Sequence, residues 1–79
     1  MARFTVHVEH GNGHAASGSK VFLDIHKWPA STWLEGNTDS NGDMDFDVDG
    51  SGIEICFHVN GRPYQTETVH NGDCVYITI

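Results

Sequence analysis

The side chains able to do chemistry in this 79-residue chain are six histidines, two cysteines and eleven Asp and Glu. His7, His10, His14, His26, His58 and His70 show no zinc-finger spacing. Cys56 and Cys74 stand eighteen positions apart with no Cys-x-x-Cys. Alternation sorts some of these groups onto common faces. Asp24 and His26 share one face of a strand pattern, and Glu54, Cys56 and His58 share one face of another. Imidazole, thiolate and carboxylate form a borderline-soft set suited to zinc. The competing reading is a solvated polar sheet face with Phe22 exposed among polar groups, because no spacing here fixes a tetrahedral geometry.

A hard cation is the second possibility. Asp39, Asn41 and Asp43 take the first, third and fifth places of an EF-hand-like loop. The rest of that pattern fails, since Met44 replaces the required glycine and Gly50 stands where a bidentate Glu belongs. A strand would also point Asp45, Asp47 and Asp49 in parallel instead of wrapping them around an ion. The plain reading is a turn. Aromatic residues outside the core pattern are the third possibility: Trp28, Trp33, Tyr64 and Tyr76. Exposed indoles on a loop can stack on a sugar or a peptide, and Trp and Tyr are frequent binding anchors. Alternatively, Trp28 and Trp33 close one open end of the molecule. Of these, Trp28, Trp33 and Tyr64 are the candidate binding residues. No Ser, His and acid lie in a nucleophile-elbow context, and no paired carboxylates mark a cleft, so no enzyme is expected and no cofactor.

Composition narrows the partners. Four Lys and Arg against eleven acids give a formal charge of −7. Such a chain repels phosphate, which argues against nucleic acid and against anionic membranes. No apolar run approaches the roughly 20 residues of a membrane span. No basic-then-apolar leader is visible, which leaves localisation unassigned from the residues. The length suits one domain, 1–79, with one modest core.

The elements that must position these groups are strands. Thr38 to Asp43 is a tight turn, because Asp39 can bond the backbone two residues on and Asn41-Gly42 tolerate positive φ. Beyond it Met44, Phe46 and Val48 point one way, and Asp45, Asp47 and Asp49 the other. Arg3 to Glu9 alternates with Phe4, Val6 and Val8 inward. Ser19 to His26 follows, with Val21, Leu23 and Ile25 inward. Lys27-Trp28-Pro29-Ala30 is a loop, since Pro29 cannot donate to a ladder. Thr32 to Thr38 is a weaker strand, blurred by Gly36. Ile53, Ile55, Phe57 and Val59 define the fifth strand. Asn60-Gly61 signals a hairpin that Arg62-Pro63 is expected to widen, ahead of a sixth strand from Tyr64 to Val69. Cys74 to Ile79 closes the chain, with Val75, Ile77 and Ile79 inward. Seven short strands with turn signals about every ten residues, and no helical period, predict an all-β, seven-stranded β-sandwich.

The stretches "FTVHVEHGNGHAASGSKVFLDI", "GNTDSNGDMDF" and "GIEICFHVNG" resemble the carboxypeptidase regulatory-like domains, within the broader transthyretin-like or prealbumin-like sandwiches. The resemblance spans nearly the whole chain. It rests on Gly18 before the second strand, the Thr-Asp-x-Asn-Gly turn with Phe46 after it, and Gly61 after the fifth strand. It implies an Ig-like/transthyretin-like sandwich in which the second and fifth strands are neighbours and the last strand pairs with the first in the other sheet. On that footing Asp24, His26, Glu54, Cys56 and His58 converge on one sheet face, and outward Cys56 and Cys74 lie on opposite sheets as two free thiols. It also implies an accessory module of a secreted or envelope protein, binding a protein, a carbohydrate or the other domains of its parent. The hydroxyisourate hydrolase branch closes on Tyr-Arg-Gly-Ser, whereas this chain reads Tyr76-Ile77-Thr78-Ile79, and its His and Arg set has no counterpart here. The adhesin branch joins a first-strand Lys to a last-strand Asn, and neither is present.

Overall fold

Strands form where the chain alternates, and they stop where Gly and Asn reverse it. The computed structural model describes residues 2–26, 32–50 and 52–79, and among these it contains strands and no helix. The strands are β1 (Ala2–Glu9), β2 (Lys20–His26), β3 (Thr32–Asn37), β4 (Asp43–Val48), β5 (Ile53–Val59), β6 (Arg62–Val69) and β7 (Cys74–Thr78). They make two sheets. One has three strands in the order β4-β1-β7, the other four in the order β3-β2-β5-β6. All pairings are antiparallel except β1 with β7, which is parallel.

The inward residues of both sheets meet in one core. Phe4, Val6 and Val8 of β1, Leu23 of β2, Ile55 and Phe57 of β5 and Ile77 of β7 are essentially inaccessible. Phe4 stacks on Phe46 of its own sheet with ring centroids 5.9 Å apart, and meets Phe57 of the other sheet edge-on at 6.3 Å. Aromatic pairs at such distances add about 0.5–1.5 kcal/mol to the area they bury. Two polar residues, Ser19 and Thr38, are also buried. The Thr38 hydroxyl donates to the Ala16 carbonyl and accepts from the Ser19 amide at 2.9 Å, tying the approach to β2 to the end of β3.

The hairpin after β5 is tighter than the sequence suggests. Asn60 and Gly61 both take positive φ, 51° and 84°, and Val59 pairs directly with Arg62. Arg62 and Pro63 therefore belong to β6 and do not widen the loop. β6 ends its sheet, so Pro63 can sit there without breaking a central ladder. The irregularity is displaced to a register shift, with Pro63 opposite His58 and Gln65 opposite Phe57. The expected loop 27–30 lies outside the described residues.

Gly36 fits the weak third strand for a packing reason. Any Cβ there would lie 2.6 Å from the terminal carbon of Met44, whose side chain lies over that glycine. The tightest glycine is Gly42, with φ of 80° and a position where a Cβ would collide with the Val8 carbonyl oxygen. Gly13, with φ of 87°, faces open space. Gly42→Ala combines backbone strain with overpacking and should cost about 3 kcal/mol in urea unfolding. Gly13→Ala carries only the strain, about 1 kcal/mol. Equal losses for the two would mean that the turn does not press on β1 as described.

Candidate functional site

Because the inward faces are committed to the core, the strand side chains able to do chemistry lie on the outer faces of the sheets. On the four-stranded sheet the register places Phe22 of β2 between Glu35 of β3 and His58 of β5. The next row sets Trp33 beside Asp24, then Cys56, then Thr66 of β6. The Trp33 indole stacks on Phe22, with centroids 5.8 Å apart and an interplanar angle of 20°. His58 meets the same phenyl ring edge-on at 5.6 Å. The result is a diagonal aromatic strip from the β3 edge toward Pro63, with Trp33 60% exposed. Glu35, Asp24 and Cys56 border it.

Trp33 thus lies on a strand, flat against an outer sheet face, and not on a loop or over an end of the molecule. Tyr64 is also on a strand, at the register shift of β6, and is 38% exposed. β6 and β3 are opposite margins of the sheet, so Tyr64 and Trp33 are separated by three strand steps, roughly 14 Å. They do not form a single cluster. Trp28 lies outside the described residues. Phe22 is the residue whose role the sequence left unassigned. Its signal was its outward parity, an aromatic alternating with buried Val21 and Leu23.

Asp24, His26, Glu54, Cys56 and His58 do share this face, in two separate sets. His26 stands between two carboxylates, with Nε2 3.4 Å from Asp24 and Nδ1 3.5 Å from Glu54. Cys56 Sγ lies 3.5 Å from His58 Nε2. Among the described residues no three His, Cys, Asp or Glu side chains are arranged to hold a metal ion. At the Asp-rich turn, Asp39 Oδ1 accepts the amides of Asn41 and Asp43 at 2.8 and 3.0 Å. That carboxylate is used in shaping the turn. The thiols are free, with Cys56 in one sheet and Cys74 in the other.

The outer face of the three-stranded sheet is a polar ladder. Thr5 donates to Asp45 at 2.6 Å, and Arg3 lies 3.5 Å from the same carboxylate. These contacts, the Thr5 hydrogen bond first, hold the Asp45 carboxyl below its ordinary range. His7 Nδ1 is 2.6 Å from Asp43, and Nε2 is 3.6 Å from Glu9. Asp43 engages Nδ1 and Glu9 lies near Nε2, so both His7 nitrogens face carboxylates. It is a cross-strand tie. No family model and no characterised protein matches this sequence.

The hydrogen bond to Asp43, opposed by partial burial and aided by the charges of Asp43 and Glu9, raises the His7 pKa above its ordinary 6.5. A pKa higher in the folded than in the unfolded state gives stability that is complete below the unfolded value and lost as pH rises through the folded one. Wild type should therefore exceed His7→Gln in stability most clearly at acidic pH, by at most about 1 kcal/mol, with the gap closing on the alkaline side. Denaturant titrations of both proteins across that range check this. A gap that widens with rising pH would contradict the pairing.

Proposed function

We propose that this chain is a non-catalytic interaction module, an Ig-like/transthyretin-like β-sandwich that binds its partner across the outer face of the four-stranded sheet. The observation that carries the reading is the Trp33–Phe22–His58 strip, with Trp33 exposed and Phe22 and His58 half-buried. A half-exposed indole already stacked on a second ring is held rigid, so little conformational entropy is lost when a ligand covers it. Trp anchors of this kind dominate binding energies. The similarity to carboxypeptidase regulatory-like domains supports an accessory role, with a protein segment, a carbohydrate or a parent-protein domain as partner.

A second reading, zinc binding by Asp24, His26, Glu54, Cys56 and His58, draws on the proximity of Cys56 to His58. It requires the His26–Asp24–Glu54 group and the Cys56–His58 pair, separate in this structure, to close on one ion.

One set of measurements separates the two. Trp33→Ala and Phe22→Ser should keep a cooperative fold and lose ligand binding by at least about tenfold. A ligand whose affinity ignores both changes would overturn the module's assigned face. Zinc should leave the melting temperature near its metal-free value. A zinc-dependent rise that disappears in His26→Ala and His58→Ala would favour the second reading, since a ligand at a hundred times its Kd adds about 2.7 kcal/mol.

A further inference from the structure

The two flanks of the molecule are finished differently. On the β6/β7 flank the Gln65 side-chain amide reaches across to the Tyr76 carbonyl at 3.3 Å, linking the two sheets. On the other flank β3 ends one sheet and β4 ends the other. Between them lies a cleft of about 180 Å³ with Ile25, Leu34 and Val48 in its wall and Asp47 and Asp49 on its rim. Along its second edge β3 has no partner strand among the described residues, so its backbone amides and carbonyls there have no ladder to join. β3 also carries Trp33.

We propose that this edge accepts an extended, cationic peptide segment of a partner protein as an added strand, with alternate side chains divided between the Trp33 face and the Leu34 cleft. The inference rests on the Trp33 surface being the binding face and narrows its partner from protein or carbohydrate to protein. Strand addition obeys the same parity as the sheet. Residues of the incoming strand on the outer face lie beside Trp33 and Glu35, and those between them turn toward Ile25, Leu34 and Val48.

The charges select the composition. Asp47 and Asp49 at the cleft have no ion-pair partner among the described residues, whereas Glu35 is already paired with Lys20 at 3.2 Å. A Lys or Arg next to Trp33 gains the ring face as well as the nearby carboxylates. The segment that fits alternates Lys or Arg beside Trp33 with Val, Ile or Leu over the cleft, and ends its cleft-facing row in a Lys or Arg that meets Asp47 and Asp49 on the rim. A second copy of this chain does not meet the requirement, since an edge-to-edge pair would set two acidic flanks of a −7 protein against each other. A neutral sugar can stack on Trp33, but it leaves the β3 edge unpaired and Asp47 and Asp49 without counter-charge.

The test is selection from a library of random peptides of about ten residues, displayed against the intact chain, followed by amide and indole NMR of the chain with the selected peptides. The selected sequences should alternate cationic and aliphatic residues and shift the amides of Thr32–Asn37 and the Trp33 indole. Methylating every second peptide nitrogen should cost at least about tenfold in affinity, because it removes ladder hydrogen bonds. Asp49→Lys should weaken binding and flatten its salt dependence. An empty selection, peptides that map to another edge, or peptides indifferent to N-methylation would overturn the inference. Oligosaccharides that shift the Trp33 indole where no peptide does would overturn it and leave the Trp33 face standing. A Trp33 indole that responds to neither class would overturn both.

Discussion

Phe4 is the contact on which the rest depends. Its ring lies between Phe46 of the neighbouring strand and Phe57 of the opposite sheet, so one side chain joins a sheet internally and to its counterpart. β1 is the middle strand of its sheet. With Phe4 inward, Thr5 and His7 must face out, and register then brings Asp45 and Asp43 to one side of them and Cys74 and Tyr76 to the other. A slip of one residue would exchange both sets and bury the ionisable ladder, which no core of this size could accommodate. The polar face is therefore determined from inside the molecule.

Much of the fold was legible because alternation is a local property. Met44, Phe46 and Val48 against Asp45, Asp47 and Asp49 can be read from six consecutive residues, and Ile53 to Val59 from seven. Arg62-Pro63 was harder, because whether Pro breaks a hairpin depends on whether its strand ends the sheet. The pairing of His7 with Asp43 joins positions 36 apart and needs the order of the strands, which no local pattern supplies. The partnership of Trp33 with Phe22 needs the same knowledge. Parity showed that Phe22 faces outward. Only the register shows that Trp33 lies against it, turning an apparent misfit among polar groups into one half of a stacked pair.

Three of the six histidines share a role that their spacing in sequence hides. His7 stands between Asp43 and Glu9, His26 between Asp24 and Glu54, and His70 beside Asp73. With four Lys and Arg facing eleven acids, cations are scarce, and imidazoles occupy positions where a more basic chain would place lysine.

The parallel pairing of β1 with β7 has a mechanical consequence. Their shared ladder runs from Thr5 opposite Cys74 to Glu9 opposite Thr78, and the Ile79 amide extends it by donating to Glu9 at 2.8 Å. A pull applied to residue 2 and residue 79 drags these two strands past each other along their length. Every rung of the ladder then bears the load together, and none can open until the others do. Antiparallel neighbours pulled from one end would part a rung at a time. Held in series in a tether, this chain would transmit tension through its sheet before yielding, while the face carrying Trp33, on the other sheet, stays outside the loaded ladder.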